Sequence, residues 1–121
     1  LDLLAHEVIG AAIEVHRLIG PGYLESVYEE ALSVELNLRN IPFTRQVIIG
    51  VKYKDHAVGE GRLDFLVGGK LVVDLKAVDT LAPIHTAQVL SYLKATGKRL
   101  GLLINFNTSI IKNGLKGIVL S

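Results

Sequence analysis

The chain has 121 residues, half of them hydrophobic, with 13 Lys+Arg against 12 Asp+Glu and no cysteine. A chain this long hides about two thirds of its unfolded surface, so one domain, 1–121, is expected to hold a core without covalent staples. The missing cysteine excludes disulfides, iron–sulfur clusters, thiolate zinc sites and cysteine nucleophiles, and a net charge of +1 excludes a broadly basic surface, though not a local patch. Every apolar stretch is cut by a charge or a glycine within about a dozen residues, too short to cross a bilayer. The chain opens at Leu1 and contains no Met, so residues ahead of it are expected in the full protein. No basic stretch leading into an apolar run resembles a signal peptide, and a soluble cytoplasmic protein is the default expectation.

Leu4, Val8, Ile9, Ala12 and Ile13 recur at helical spacing and predict a helix over 3–19, stopped by Gly20-Pro21-Gly22. A second helix is expected from about Tyr23, with Leu24, Val27, Tyr28, Ala31, Leu32 and Leu38 as its stripe and Asn40-x-Pro42 as its end. The period then falls to two. Val47, Ile49 and Val51 predict a strand through Tyr53, Lys54-Asp55-His56 a turn, and 58–67 and 70–77 two further strands joined through Gly68-Gly69. Pro83 to Thr96 reads as a third helix with Gly97 as its C-cap, and 100–106 and 115–120 as short buried strands. The order is α-α-β-β-β-α-β-β, an α/β or α+β fold with a mixed sheet.

The hairpin at Gly68-Gly69 sets a register. A three-residue loop, Gly68-Gly69-Lys70, puts Val67 opposite Leu71, Phe65 opposite Val73 and Leu63 opposite Leu75, one coherent apolar face. A two-residue loop would mix polar and apolar residues on both faces. The other face then pairs Leu66 with Val72, Asp64 with Asp74, and Arg62 with Lys76. Two carboxylates abreast repel each other unless a shared proton, a cation or a divalent metal stands with them. A cross-strand cluster in which Lys76 and Arg62 merely neutralise the aspartates explains the charges equally well.

Asp64 followed by Asp74-Leu75-Lys76 resembles the motif of the PD-(D/E)XK nuclease superfamily. Gly22-Tyr23-Leu24-Glu25-Ser26-Val27-Tyr28 resembles the G-x-x-E-x-x-Y motif of the small bacterial GxxExxY family within that superfamily. Gln88 and Tyr92 resemble the Q-x-x-x-Y of the helix after the D/E-x-K strand in one branch. The matches run from the first helix almost to Leu120. Leu63 stands where the motif's name has Pro, and Asp74 where Glu is more frequent, one methylene shorter.

The resemblance implies a restriction-endonuclease-like core, a mixed β-sheet flanked by helices. It implies Mg²⁺ or Mn²⁺ held by Asp64, Asp74 and the Leu75 backbone carbonyl, with Glu25 as a third acid acting directly or through water. Lys76 would orient the attacking water or offset charge at the phosphate, Gln88 would hydrogen-bond Lys76 or a phosphate, and Arg62 and Tyr92 would meet substrate. The expected activity is hydrolysis of phosphodiester bonds in DNA, less readily RNA, with a homodimer or larger assembly supplying selectivity and no membrane partner. The alternative is a non-catalytic nucleic-acid- or protein-binding adaptor that keeps the fold. A metal-dependent phosphatase or nucleotide hydrolase is less favoured, because no GxxxxGK[ST] loop is present. His16 is expected to be a hydrogen-bonded core histidine, His85 a structural one, Glu35 a partner in a buried salt bridge, and Lys98, Arg99, Lys112 and Lys116 a solvated face, with phosphate contact as the less favoured reading.

Overall fold

A computed structural model describes residues 2–121. Helix α1 runs Leu3–Ile19 and starts where Asp2 accepts a 2.7 Å hydrogen bond from the Leu4 amide, an N-cap. It buries Ala5, Val8, Ala11, Ala12, Val15 and His16, so the apolar face sits further round than Ile13, which is exposed. Gly20, at φ 77°, closes the helix through its amide and the His16 carbonyl.

Helix α2 spans Glu25–Leu38, two residues later than the hydrophobic pattern suggests. Leu24 is extended, and the Tyr23 amide donates to the Tyr28 hydroxyl rather than entering the helix. Its buried face is Tyr28, Leu32 and Leu36, at i+4 spacing. Leu24, Val27 and Leu38, expected in that stripe, are exposed.

The strands are β1 (Phe43–Tyr53), β2 (His56–Val67), β3 (Leu71–Lys76), β4 (Leu100–Asn105) and β5 (Leu115–Val119), and helix α3 (Pro83–Thr96) lies between β3 and β4. They form one sheet in sequence order. Only β3 and β4 are parallel, as the α3 crossover requires, and the other neighbours are antiparallel. This is the expected mixed sheet flanked by helices. A 3-10 turn at Ile111–Gly114 leads into β5 and was absent from the hydrophobic pattern. The β1–β2 turn is Lys54-Asp55, both at positive φ, and His56 already pairs with Tyr53. Beyond Ile49 this hairpin is an exposed arm.

One core cluster packs α1 and α2 on one sheet face, and a second packs Val89 and Leu93 of α3 on the other. Phe65, Val67, Leu71, Val73 and Leu75 join the first cluster, as the register argument requires. Leu63 joins the second, which corrects the expectation that it shares their face. The alternation slips at Asp64. Opposite it, Gln46 takes φ 51°, and the β1–β2 ladder skips that pair between Arg45–Phe65 and Val47–Leu63.

Gly114 sits under the end of β4, where a Cβ would run into the Asn105 carbonyl. Gly114→Ala should cost about 2–4 kcal/mol in urea denaturation, through overpacking against backbone. Gly59→Ala, on the exposed arm with nothing within 4 Å of the added Cβ, should stay within about 0.5 kcal/mol of wild type.

Candidate active site

The β2–β3 pairs are Val67–Leu71, Leu66–Val72 and Phe65–Val73, the register expected from the three-residue loop, and the ladder stops there. Asp64 explains why. Its Oδ2 accepts the Leu75 amide at 2.8 Å, taking a hydrogen bond that a ladder carbonyl would otherwise receive. The strands part at this point, with Asp64 and Asp74 at the opening. Arg62 and Lys76 are therefore not paired. Arg62 is exposed and ion-pairs with neither aspartate among the described residues, so the structure does not bring it to the acids as the register suggested.

Asp74 is buried and only 4% exposed. Lys76 Nζ lies 3.2 Å from its Oδ2, but the approach is too oblique for a hydrogen bond, and that buried oxygen has no hydrogen-bond donor. The same ammonium donates to Gln88 Oε1 at 3.2 Å, which ties α3 to the end of β3. Burial raises Asp64 from the ordinary aspartate value of 3.8 to about 7; the adjoining Asp74 carboxyl adds to this, and the Leu75 amide and Lys76 oppose it. Burial works against the Lys76 charge, yet Asp74, with Glu25 and Asp64, outweighs it and holds the ammonium above its usual value. The two carboxyls thus stand close together in a buried site, with Lys76 as the neighbouring cation.

Glu25 is the first residue of α2, where helix amides favour a carboxylate. Its pKa is raised, first by burial, then by Asp64, and Lys76 and His85 pull it back. Glu25 thus stands within electrostatic reach of the pair. Among the described residues no three acidic or histidine side chains gather closely enough to enclose a metal.

Tyr28 fixes where Glu25 sits. Its hydroxyl donates to the Gly20 carbonyl at 2.7 Å and accepts from the Tyr23 amide at 3.2 Å. Its ring stacks on Phe106 with centroids 4.6 Å apart. The two ends of the Gly22-to-Tyr28 motif are thereby one strap across the 20–24 turn. A turn later, Glu29 accepts from Arg45 and from Gln46, the left-handed residue opposite Asp64.

The chain belongs to the PD-(D/E)XK nuclease superfamily. A family model described by that name matches residues 2–118. Members of this superfamily are generally nucleases, and the mixed sheet with its helices has the restriction-endonuclease-like order of this PD-(D/E)XK fold. No curated protein matches the chain.

Tyr92 of this PD-(D/E)XK chain packs its ring edge over Gly61 and Ile49, half-buried in the α3 cluster. Its hydroxyl has no hydrogen bond among the described residues. His85 caps α3, its Nδ1 accepting the Ala82 amide at 2.9 Å, and His16 donates from Nε2 to the Thr108 carbonyl at 2.6 Å. Glu35 pairs with Arg39 at 2.7 Å.

Sequence reasoning missed Asn105. It is buried; its Oδ1 accepts the amides of Val78 and Asn107, and its Nδ2 donates to the Val78 carbonyl. It pins the segment leaving Lys76. The signal was an amide inside the otherwise apolar run Leu102-Leu103-Ile104-Asn105-Phe106.

Two outcomes are expected here. Folded Asp64 binds its proton more tightly than the unfolded chain, so the stability it contributes is complete below pH 3.8 and lost as pH rises through about 7. Asp64→Asn keeps an acceptor for Leu75 and removes this loss. In EDTA at pH 8 its Tm should exceed wild type by about 3–6 °C, with the gap closing toward pH 5 in a melt series. Tyr28→Phe leaves the Gly20 carbonyl unpaired and should cost about 1–2 kcal/mol in urea denaturation.

Proposed function

We propose that this chain is a divalent-metal-dependent nuclease that hydrolyses phosphodiester bonds in DNA, a member of the GxxExxY group within its superfamily. The observation that carries the reading is the buried Asp74 Oδ2, which has no hydrogen-bond donor although Lys76 stands 3.2 Å away, beside a second carboxyl whose pKa burial raises. A buried oxygen left in this state costs stability unless a cation completes it.

The donor set fits Mg²⁺ or Mn²⁺. Both aspartates offer hard oxygens, and Mg²⁺ takes few protein carboxylates and keeps several waters, so a complete protein cage is not required. Asp64, Asp74 and the Leu75 carbonyl would hold the ion, and Glu25 would reach it through water. Bound there, the ion polarises the phosphate and makes a coordinated water more acidic.

The remaining work falls to the chain's own residues. The Lys76 ammonium is held charged by three acids and aimed by Gln88, so it can orient the attacking water or offset charge growing on the phosphate oxygens. Gln88 restrains a flexible side chain that also stands 3.2 Å from Asp74. Tyr92, at the edge of the same helix face, would border the substrate.

The test is cleavage of a panel of single- and double-stranded DNA and RNA with Mg²⁺ or Mn²⁺. Cleavage of DNA is expected, abolished by EDTA and reduced at least about 100-fold in Lys76→Ala. Mg²⁺ should raise the Tm of wild type and not of Asp74→Asn. A wild type that neither gains stability from metal nor cuts any nucleic acid would leave the fold serving a binding role.

A further inference from the structure

Helix α3 reaches beyond the acids. Ile84, Gln88, Ser91 and Ala95 follow i+4, i+3 and i+4 spacing and form one stripe, opposite the buried Val89 and Leu93. One point of the stripe, Gln88, touches Lys76. One to two turns on, the stripe borders a cleft of about 530 Å³ between α3 and the β1–β2 arm, lined by Gly50, Val51, Lys52, Ser91, Lys94 and Ala95.

The arm and helix are held side by side where Tyr92 and Ile49 meet over Gly61, and the cleft's nearest helix residue, Ser91, lies one turn along α3 from Gln88. Its floor is open, because a Cβ on Gly50 would meet nothing within 4 Å. Its two charged residues are both lysines, one from each wall, and neither is ion-paired among the described residues. A lysine in the last turn of a helix suits the helix dipole, which accounts for Lys94 but not for Lys52 facing it from the strand.

We propose that this cleft seats the phosphodiester backbone of the strand being cut, with Lys52 and Lys94 contacting its phosphates from opposite walls. The identity of the ligand rests on the nuclease reading above. The scale agrees. Gln88 to Lys94 is about 9 Å along the helix axis. That spans roughly two to three phosphates of one strand of a duplex. A chain with a net charge of only +1 has no general field to gather nucleic acid, which gives a local track of this kind a role. Lysine heads at a wide, solvent-open cleft contact phosphates without reading bases, so the track adds affinity and direction, not sequence preference.

The experiment is fluorescence anisotropy of a fluorescein-labelled DNA duplex with Mg²⁺, using Lys76→Ala protein so that the probe is not consumed. Adding Lys52→Ala and Lys94→Ala should weaken binding at least about tenfold at low salt and flatten the log affinity against log salt slope by about 1.8, two contacts' worth. Lys70→Ala with Lys98→Ala removes the same charge at the far end of β3 and should change neither quantity. Matching melting curves exclude misfolding as the cause.

An unchanged slope in the cleft variant, an equal loss in the Lys70/Lys98 variant, or no binding by the Lys76→Ala parent would each overturn the proposal. Hydrolysis of the small diester bis(p-nitrophenyl) phosphate by wild type with Mn²⁺ tests the acids and Lys76 without the cleft. Its success would leave the nuclease reading standing whatever the anisotropy shows.

Discussion

Two like charges at the mouth of a splayed hairpin are the constraint around which this molecule is arranged. Asp64 and Asp74 stand at the point where β2 and β3 separate, one holding a backbone amide and the other largely sealed from solvent. Repulsion between them is relieved by a proton on Asp64 and by Lys76 at 3.2 Å from Asp74. Neither remedy is a complete one. The proton is lost near neutral pH, and the ammonium approaches at an angle that leaves an oxygen unbonded. A site of this kind stores an unmet demand for positive charge, and perturbed carboxyls beside a cation are where chemistry is commonly found.

The surroundings hold that demand in place. Gln88 restrains Lys76 from α3, Tyr28 fixes the turn that presents Glu25 from α2, and Asn105 secures the chain between β3 and α3. Three separate parts of the sequence thus converge through single polar contacts laid over two apolar clusters. Gln46 contributes differently. Its left-handed backbone interrupts the ladder opposite Asp64 while its side chain reaches Glu29. Both edges of β2 are therefore loosened at the same residue, which frees Asp64 to turn its carboxylate toward β3.

Much of this was legible in the sequence, and the reasons are local. Pro83 and Gly97 bound α3 at the expected residues because a fixed φ and a left-handed cap leave little freedom. The β2–β3 register followed from apolar alternation, since a one-residue slip would bury charges. What escaped were features that alternation cannot carry. Leu63 changes face because Gln46 breaks the ladder, and no periodicity announces a positive φ at a glutamine. Arg62 was assigned across from Lys76 by extending a ladder that a side chain cuts short. Helix α2 starts later than its apolar pattern suggests because Tyr28, apolar in that pattern, uses its hydroxyl to hold Tyr23 outside the helix. Asn105 was overlooked inside an apolar run, although a buried amide there has to be saturated by backbone.

The bracket formed by Asn105 has a reach greater than its size. Its side chain grips Val78, just past the end of the neighbouring strand β3, and its own carbonyl lies over Gly114 with no room for another atom. The 3-10 turn before β5 is therefore mechanically in series with the connection between Lys76 and α3. A bulkier residue in that turn would push on the end of β4, where Asn105 pairs with Lys76. Loss of function could then arise far from the acids, in a variant that still melts cooperatively and keeps every charged group it had.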